Sequence, residues 1–190
     1  RQRQMCIRDR IDIDRFKNNL RRVFQRINET EREENFKNIV ADFLKDTYYK
    51  PTNEINTKYD NDLVIYHGET YKSAVGVLLE VKRPSNTKEM LTADEANVKA
   101  LQQILLYYLK ERYLEDNKEM KYLIVTNIYD WFIFDVSVFE HFFFEHKKWI
   151  KKYKAWENKQ SGIKKTNWFY EEFAKPLLEN EIQELAATHF

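Results

Sequence analysis

Val75-Gly-Val-Leu-Leu-Glu-Val-Lys82 is a nearly continuous apolar run that ends at Arg83-Pro84. A run of this length bounded by a proline turn reads as a β-strand, and one apolar on both faces must be central and covered on both sides. Glu80 and Lys82 interrupt the run two positions apart, so both side chains leave the same face, about 6–7 Å apart along the chain. Val81 points the other way. Charge placed on one face of a buried strand costs several kcal/mol, on the order of 2–7, unless something compensates it.

The remaining pattern builds an α/β sandwich around that strand. Phe16, Leu20, Val23, Phe24 and Ile27 fall at helical spacing over 11–28. A second helix is expected over 30–47, with Thr30 and Glu33 as a capping box and Phe36, Ile39, Val40, Phe43 and Leu44 as its apolar face. After Pro51 the period changes. Glu54 to Tyr59 and Asp62 to Tyr66 read as strands, the second closed by a turn at His67-Gly68. A helix dense in Leu, Ile and Tyr follows over 93–114. Strands at 121–126 and 131–135 come next, then a helix opened by Ser137 and running to Asn158. Ser161-Gly162 breaks the chain, and a last helix starting at Thr166 or Asn167 bends at Pro176. With 3 Gly and 3 Pro in 190 residues, long regular elements are favoured over a loop-rich fold. The expected architecture is a small mixed central sheet flanked by helices, with 10–136 as the core and 137–190 as a helical extension of the same domain.

Bulk properties exclude little beyond this. No apolar run approaches the ~20 residues of a membrane span, so no membrane partner is expected. The single cysteine, Cys6, cannot form an internal disulfide. A formal net charge of +1 neither suggests nor excludes nucleic acid. Residues 1–9 resemble a translated sequencing adapter, since Met5 to Asp9 can be encoded by the core of a transposon end; they are expected to be an artefact and are set apart from the fold.

The two interrupting charges suit one chemistry. Asp62 begins the preceding strand 18 residues before Glu80, and an antiparallel hairpin would bring the two side by side. Phosphodiester hydrolysis needs a hard cation that stabilises developing charge and acidifies the attacking water. Mg²⁺ takes oxygen ligands, commonly one or two carboxylates. Asp62, Glu80 and the carbonyl of Val81 could supply them, while Lys82 orients the water or stabilises the pentavalent oxyanion. Asp60 is a rival to Asp62.

Asp62…Glu80-Val81-Lys82, in a helix–strand–strand–strand–helix–strand order, resembles the PD-(D/E)XK nuclease superfamily. Asn61 stands where the family name has proline. The resemblance implies a restriction-endonuclease-like sandwich and a Mg²⁺-dependent deoxyribonuclease. It implies an acidic residue from the preceding helix, Glu34 or its neighbour Glu33. A Q-x-x-x-Y element is matched by Gln103 and Tyr107, with Gln102 as a competing choice. Over 30–178, Phe43-Leu-Lys-Asp-Thr-Tyr-Tyr49, Glu80-Val-Lys-Arg-Pro84, Ala100-Leu-Gln-Gln-Ile-Leu-Leu-Tyr-Tyr108 and 123–135 resemble the N-terminal nuclease region of single-chain (type IIG-like) bacterial restriction-modification methyltransferases. That likeness implies double-stranded DNA as substrate and a cytoplasmic setting. Cutting both strands needs two such sites, so a transient homodimer, or two enzymes on one DNA, is expected from the chemistry. A methyltransferase is expected downstream on the same polypeptide. A catalytically silent nuclease-fold module and a repair or exonuclease are the alternatives.

Between Lys147 and Lys165 lie 8 lysines and one acidic residue, Glu157, with Trp149, Tyr153 and Trp156 interleaved. Lys147, Lys148, Lys151 and Lys152 are expected to contact DNA phosphates, and the aromatics to dock on the core. His141 and Glu145 have metal spacing, but Phe142-Phe-Phe144 between them argues for packing, and no site is assigned there.

Overall fold

A computed structural model of the protein describes residues 2–58, 62–158, 166–181 and 188–189. The chain is an α/β sandwich. Helix α1 (Gln2–Arg26) and helix α2 (Glu33–Leu44), extended by a π-turn over Lys45–Tyr49, cover one face of a mixed sheet. The sheet runs in the order β1 (Ile55–Lys58), β2 (Asp62–Tyr66), β3 (Val75–Val81), β4 (Tyr122–Thr126), β5 (Trp131–Asp135) and β6 (Thr188–His189). Strands β3 and β4 are parallel and every other pairing is antiparallel. The parallel step requires a crossover, which α3 (Lys99–Tyr113) provides on the second face. That face is completed by α4 (Val136–Phe139) with its π-turn (Glu140–Phe144), α5 (Lys147–Glu157), and a C-terminal run. The run comprises α6 (Thr166–Trp168), a π-turn (Phe169–Ala174) and α7 (Lys175–Glu181). No helix among the described residues is long and apolar enough to cross a membrane.

Strand alternation sorts the core into two layers. Leu63, Ile65, Val77, Leu79 and Val81 pack with Val23, Phe36, Ile39 and Val40 of α1 and α2. Val64, Leu78, Leu123, Val125, Phe132 and Phe134 pack with Leu101, Ile104, Leu105 and Tyr108 of α3. Every residue of β3 is buried, as its composition requires of a central strand. A bulge between Ile65 and Tyr66 shifts the β2–β3 register. There Gly76 gives room for the His67 ring, whose Nε2 lies 2.7 Å from the Glu119 carbonyl; a Cβ on Gly76 would sit 2.8 Å from that ring.

Several element ends differ from expectation for local reasons. Thr30 does not cap α2; its hydroxyl and amide both donate to the Asn28 side chain, and α2 starts at Glu33 without a side-chain cap. Helix α3 begins at Lys99 because Thr92 and Glu95 close a turn on each other first. The cap of α4 is Asp135, which accepts from the Ser137 amide at 2.9 Å, so Ser137 is the first-turn donor. The helix expected to run unbroken to Asn158 divides at Glu145 and His146. Ser161-Gly162 lies outside the described residues. Pro176 sits inside the C-terminal run and offers no N–H to the Glu172 carbonyl four residues before it; the Lys152 ammonium donates to that oxygen.

Candidate active site

The site forms at the C-terminal end of β3. The Glu80 carboxylate is 1 % exposed on its side chain and Lys82 3 %. Lys82 Nζ lies 2.8 Å from Glu80 Oε1. Just past the strand, Lys82 stays attached to the sheet because its N–H donates to the Thr126 carbonyl at 2.8 Å. Two further carboxylates reach the same ammonium. Glu33 Oε1 stands at 3.6 Å and Glu89 Oε2 at 3.5 Å.

Three acidic groups therefore surround one buried cation, and Lys99 adds a second cation 3.6 Å from Glu89 Oε1. Three carboxylates against two ammonium groups leave one negative charge in excess. The second oxygen of Glu80, Oε2, is buried without a hydrogen-bond partner. A carboxylate oxygen in that state is costly unless a cation or water completes it.

Burial by itself would pull the Lys82 ammonium down. The carboxylates of Glu80, Glu33 and Glu89 outweigh it, and the group rests above the ordinary lysine value. Lys82 is thus held charged at neutral pH. Glu89 feels burial as an upward pull, but the Asn86 amide, Lys82 and Lys99 together bring it below the usual carboxylate range.

Asp62 is the first residue of β2. Leu63 pairs with Leu79, so one further step of the antiparallel register brings the Asp62 backbone level with Glu80. The side chain of Asp62 lies outside the described residues, as does Asp60. Val81 is fully buried and turns its side chain to the α1–α2 layer, opposite to Glu80. Among the described residues no three His, Cys, Asp or Glu side chains form a group that could hold a metal ion by themselves.

Of the two acidic residues opening α2, it is Glu33 that faces Lys82. Glu34, the residue preferred from sequence, is exposed, one helical step (~100°) round the axis. The missing capping box explains the choice, because Glu33 is not turned back to the helix start. Gln102 donates to Asn97 Oδ1 at 3.0 Å. Gln103 Oε1 is buried without a partner. Tyr107 is 7 % exposed in the α3 layer, with Lys110 Nζ 5.6 Å from its ring centre.

Sequence reasoning missed Glu89. It lies in the connection between β3 and α3, where no periodicity marks it, and the only local hint is Met90-Leu91, an apolar pair buried at 4 % and 3 % that pins the loop.

On α5, Lys147, Lys148 and Lys151 are exposed while Trp149 and Tyr153 are buried, as expected of a helix whose aromatics dock on the core. Lys148 and Lys152 place their ammonium groups 5.1 and 5.5 Å from the Trp149 ring centre. Lys152 is half-buried and donates to the Glu172 carbonyl, so it ties α5 to the C-terminal run and is a weaker candidate for phosphate than its neighbours. His141 and Glu145 form an exposed pair at 3.8 Å.

No curated protein and no solved structure matches the chain. One family model does match, over residues 4–190, a span that takes in residues 4–9. On that extent the chain belongs to the family described as Domain of unknown function (DUF7149).

Proposed function

We propose that the protein is a Mg²⁺-dependent deoxyribonuclease of the PD-(D/E)XK type. The observation that carries this reading is the buried Glu80–Lys82 pair with Glu80 Oε2 left unpartnered beside an excess of negative charge. Glu80, the carbonyl of Val81 and Asp62 would hold the ion. When bound, Mg²⁺ supplies charge stabilisation at the phosphoryl oxygens and a more acidic attacking water.

The chain's own residues divide the remaining work. Lys82, kept as an ammonium by its three carboxylates, cannot take a proton from water at neutral pH. Its role is to donate hydrogen bonds, positioning the water and stabilising the oxyanion that forms at phosphorus. Glu33 completes the acidic ring from α2, in the part that the family resemblance implies for Glu34 or Glu33. Gln103, with its amide oxygen unpartnered, is the remaining polar candidate from α3. Lys147, Lys148 and Lys151 supply an exposed basic surface for the duplex backbone. Membership of a single-chain restriction-modification protein, a methyltransferase further along the polypeptide and transient pairing of two copies on duplex DNA belong to the same proposal.

A second reading, a nuclease-like module that binds without cutting, is favoured by one observation. Glu80 and Lys82 are almost fully buried, with Glu33 and Glu89 at the rim about one-third exposed. Nicking of supercoiled DNA with Mg²⁺ decides between them. The first reading expects cleavage that is lost in Glu80→Ala, Lys82→Ala and Asp62→Ala; binding without cleavage under all metal conditions selects the second. Cutting that persists in all three variants overturns the assignment of the site.

A further inference from the structure

Among the described contacts, Glu89 is held at more points than any other acidic side chain around Lys82. Its two carboxylate oxygens are divided: Oε2 faces Lys82 at 3.5 Å and Oε1 faces Lys99 at 3.6 Å. Oε2 also accepts from Asn86 Nδ2 at 2.9 Å. Its backbone carbonyl accepts from the Ala100 amide at 3.1 Å, in the first turn of α3. Asn86 is itself set by a turn through Pro84, its amide donating to the Arg83 carbonyl at 2.9 Å. Buried Met90 and Leu91 anchor the segment immediately after. Glu89 is therefore restrained at its backbone and at both carboxylate oxygens.

We propose that Glu89 is a positioning residue of this site, holding the Lys82 ammonium against Glu80. The inference rests on the nuclease reading for its chemical consequence. The physical reason is that Lys82 has a flexible four-carbon stem, and a lone ion pair with Glu80 leaves the head free to rotate about that bond. A second carboxylate on a rigid loop and a third, Glu33, on α2 fix the direction of the ammonium. Lys99 balances Glu89, so that the loop carboxylate does not itself become an uncompensated charge beside Glu80.

The test uses the full chain with Glu89→Gln, which keeps the shape and the amide contact to Asn86 but removes the charge, and Glu89→Ala. Two readouts are taken. The first is the order of the Lys82 side chain at pH 7, read as ¹³Cε relaxation in [¹³C]lysine-labelled protein without DNA or metal, with the Lys82 signal identified by its loss in Lys82→Arg. The second is Mg²⁺-dependent nicking, resolved into kcat and KM. The expected result is a Lys82 side chain that is more mobile in both variants. Alongside it, kcat falls about tenfold with KM within about twofold. Unchanged Lys82 order in a folded Glu89→Gln protein overturns the proposal. So does a loosened side chain with kcat unchanged. If the unaltered chain cuts no DNA, the nuclease reading fails on its own, and the relaxation measurement still decides whether Glu89 holds Lys82.

Discussion

Lys82 Nζ stands 2.8 Å from Glu80 Oε1, and both side chains are at least 97 % removed from solvent. A buried ion pair of this kind is poor evidence for stability, because desolvating two charges offsets most of their attraction. Removing one partner is worse, since it strands the other. Lys82→Met, which leaves Glu80 buried without its cation, is expected to destabilise the fold by about 3–5 kcal/mol in urea unfolding, whereas Glu80→Leu with Lys82→Met is expected to be neutral or stabilising by about 1–4 kcal/mol. A double variant less stable than the single one would show that the pair itself stabilises the fold.

The raised position of Lys82 sets a pH window. Its folded value lies above the unfolded one, so its contribution to stability is complete below the ordinary lysine value of about 10.4 and is lost as pH rises through the folded value. Cleavage should accordingly hold through neutral pH and fade only in strong alkali, and Lys82→Ala should lower kcat by about 10²-fold or more. Both are read from rate profiles. An alkaline limb near neutrality would mean that another group carries the proton.

On the far layer, Tyr108 donates to Glu140 Oε2 at 2.6 Å and Arg112 Nε donates to the same oxygen at 2.8 Å, while Arg112 Nη2 binds Oε1. The Arg112 hydrogen bonds hold the Glu140 carboxyl below its usual range despite partial burial. A depressed carboxyl contributes stability above its unfolded value of about 4.3 and loses it as pH falls through the folded value. Glu140→Gln is therefore expected to cost about 1–3 kcal/mol at pH 7, with the gap to the parent chain closing in acid. Denaturant midpoints measured from pH 7 down to pH 3 check the closure.

The lysines of α5 separate by exposure. If Lys147, Lys148 and Lys151 neutralise phosphates, replacing all three by Ala should reduce the slope of log affinity against log salt by about 0.9 for each phosphate left without its lysine, with the fold unchanged. Lys152→Ala should instead destabilise by about 1 kcal/mol, because the hydrogen bond that ties α5 to the Glu172 carbonyl is lost. Fluorescence-based binding over a salt series and thermal unfolding read the two effects apart.

At Gly76 a side chain would displace the His67 ring. Gly76→Ala would push a methyl into the His67 ring at 2.8 Å and is expected to cost about 1–3 kcal/mol. Unaltered stability would show that the ring can leave the Glu119 carbonyl freely.

The central strand was legible from sequence because burial on both faces writes itself as an unbroken apolar run, and β2 carried its end in the His67-Gly68 turn. The two-sided helical cover followed from 3.6-residue periodicity. Glu80 and Lys82 stood out because charge on such a strand violates the pattern around it. Local competition decided what periodicity could not. Asn28 takes Thr30 away from α2, and Asp135 takes the cap from Ser137.

The sequence alone determined which strand is central and which two charges it buries, since both facts depend only on neighbours along the chain. Only the tertiary structure decided that Glu33, not Glu34, faces Lys82, that Glu89 joins it, and that Lys152 serves the C-terminal run. Those contacts bring together residues 7 to 49 positions apart in the sequence. Their meeting depends on helix rotation and loop path, which no local pattern encodes.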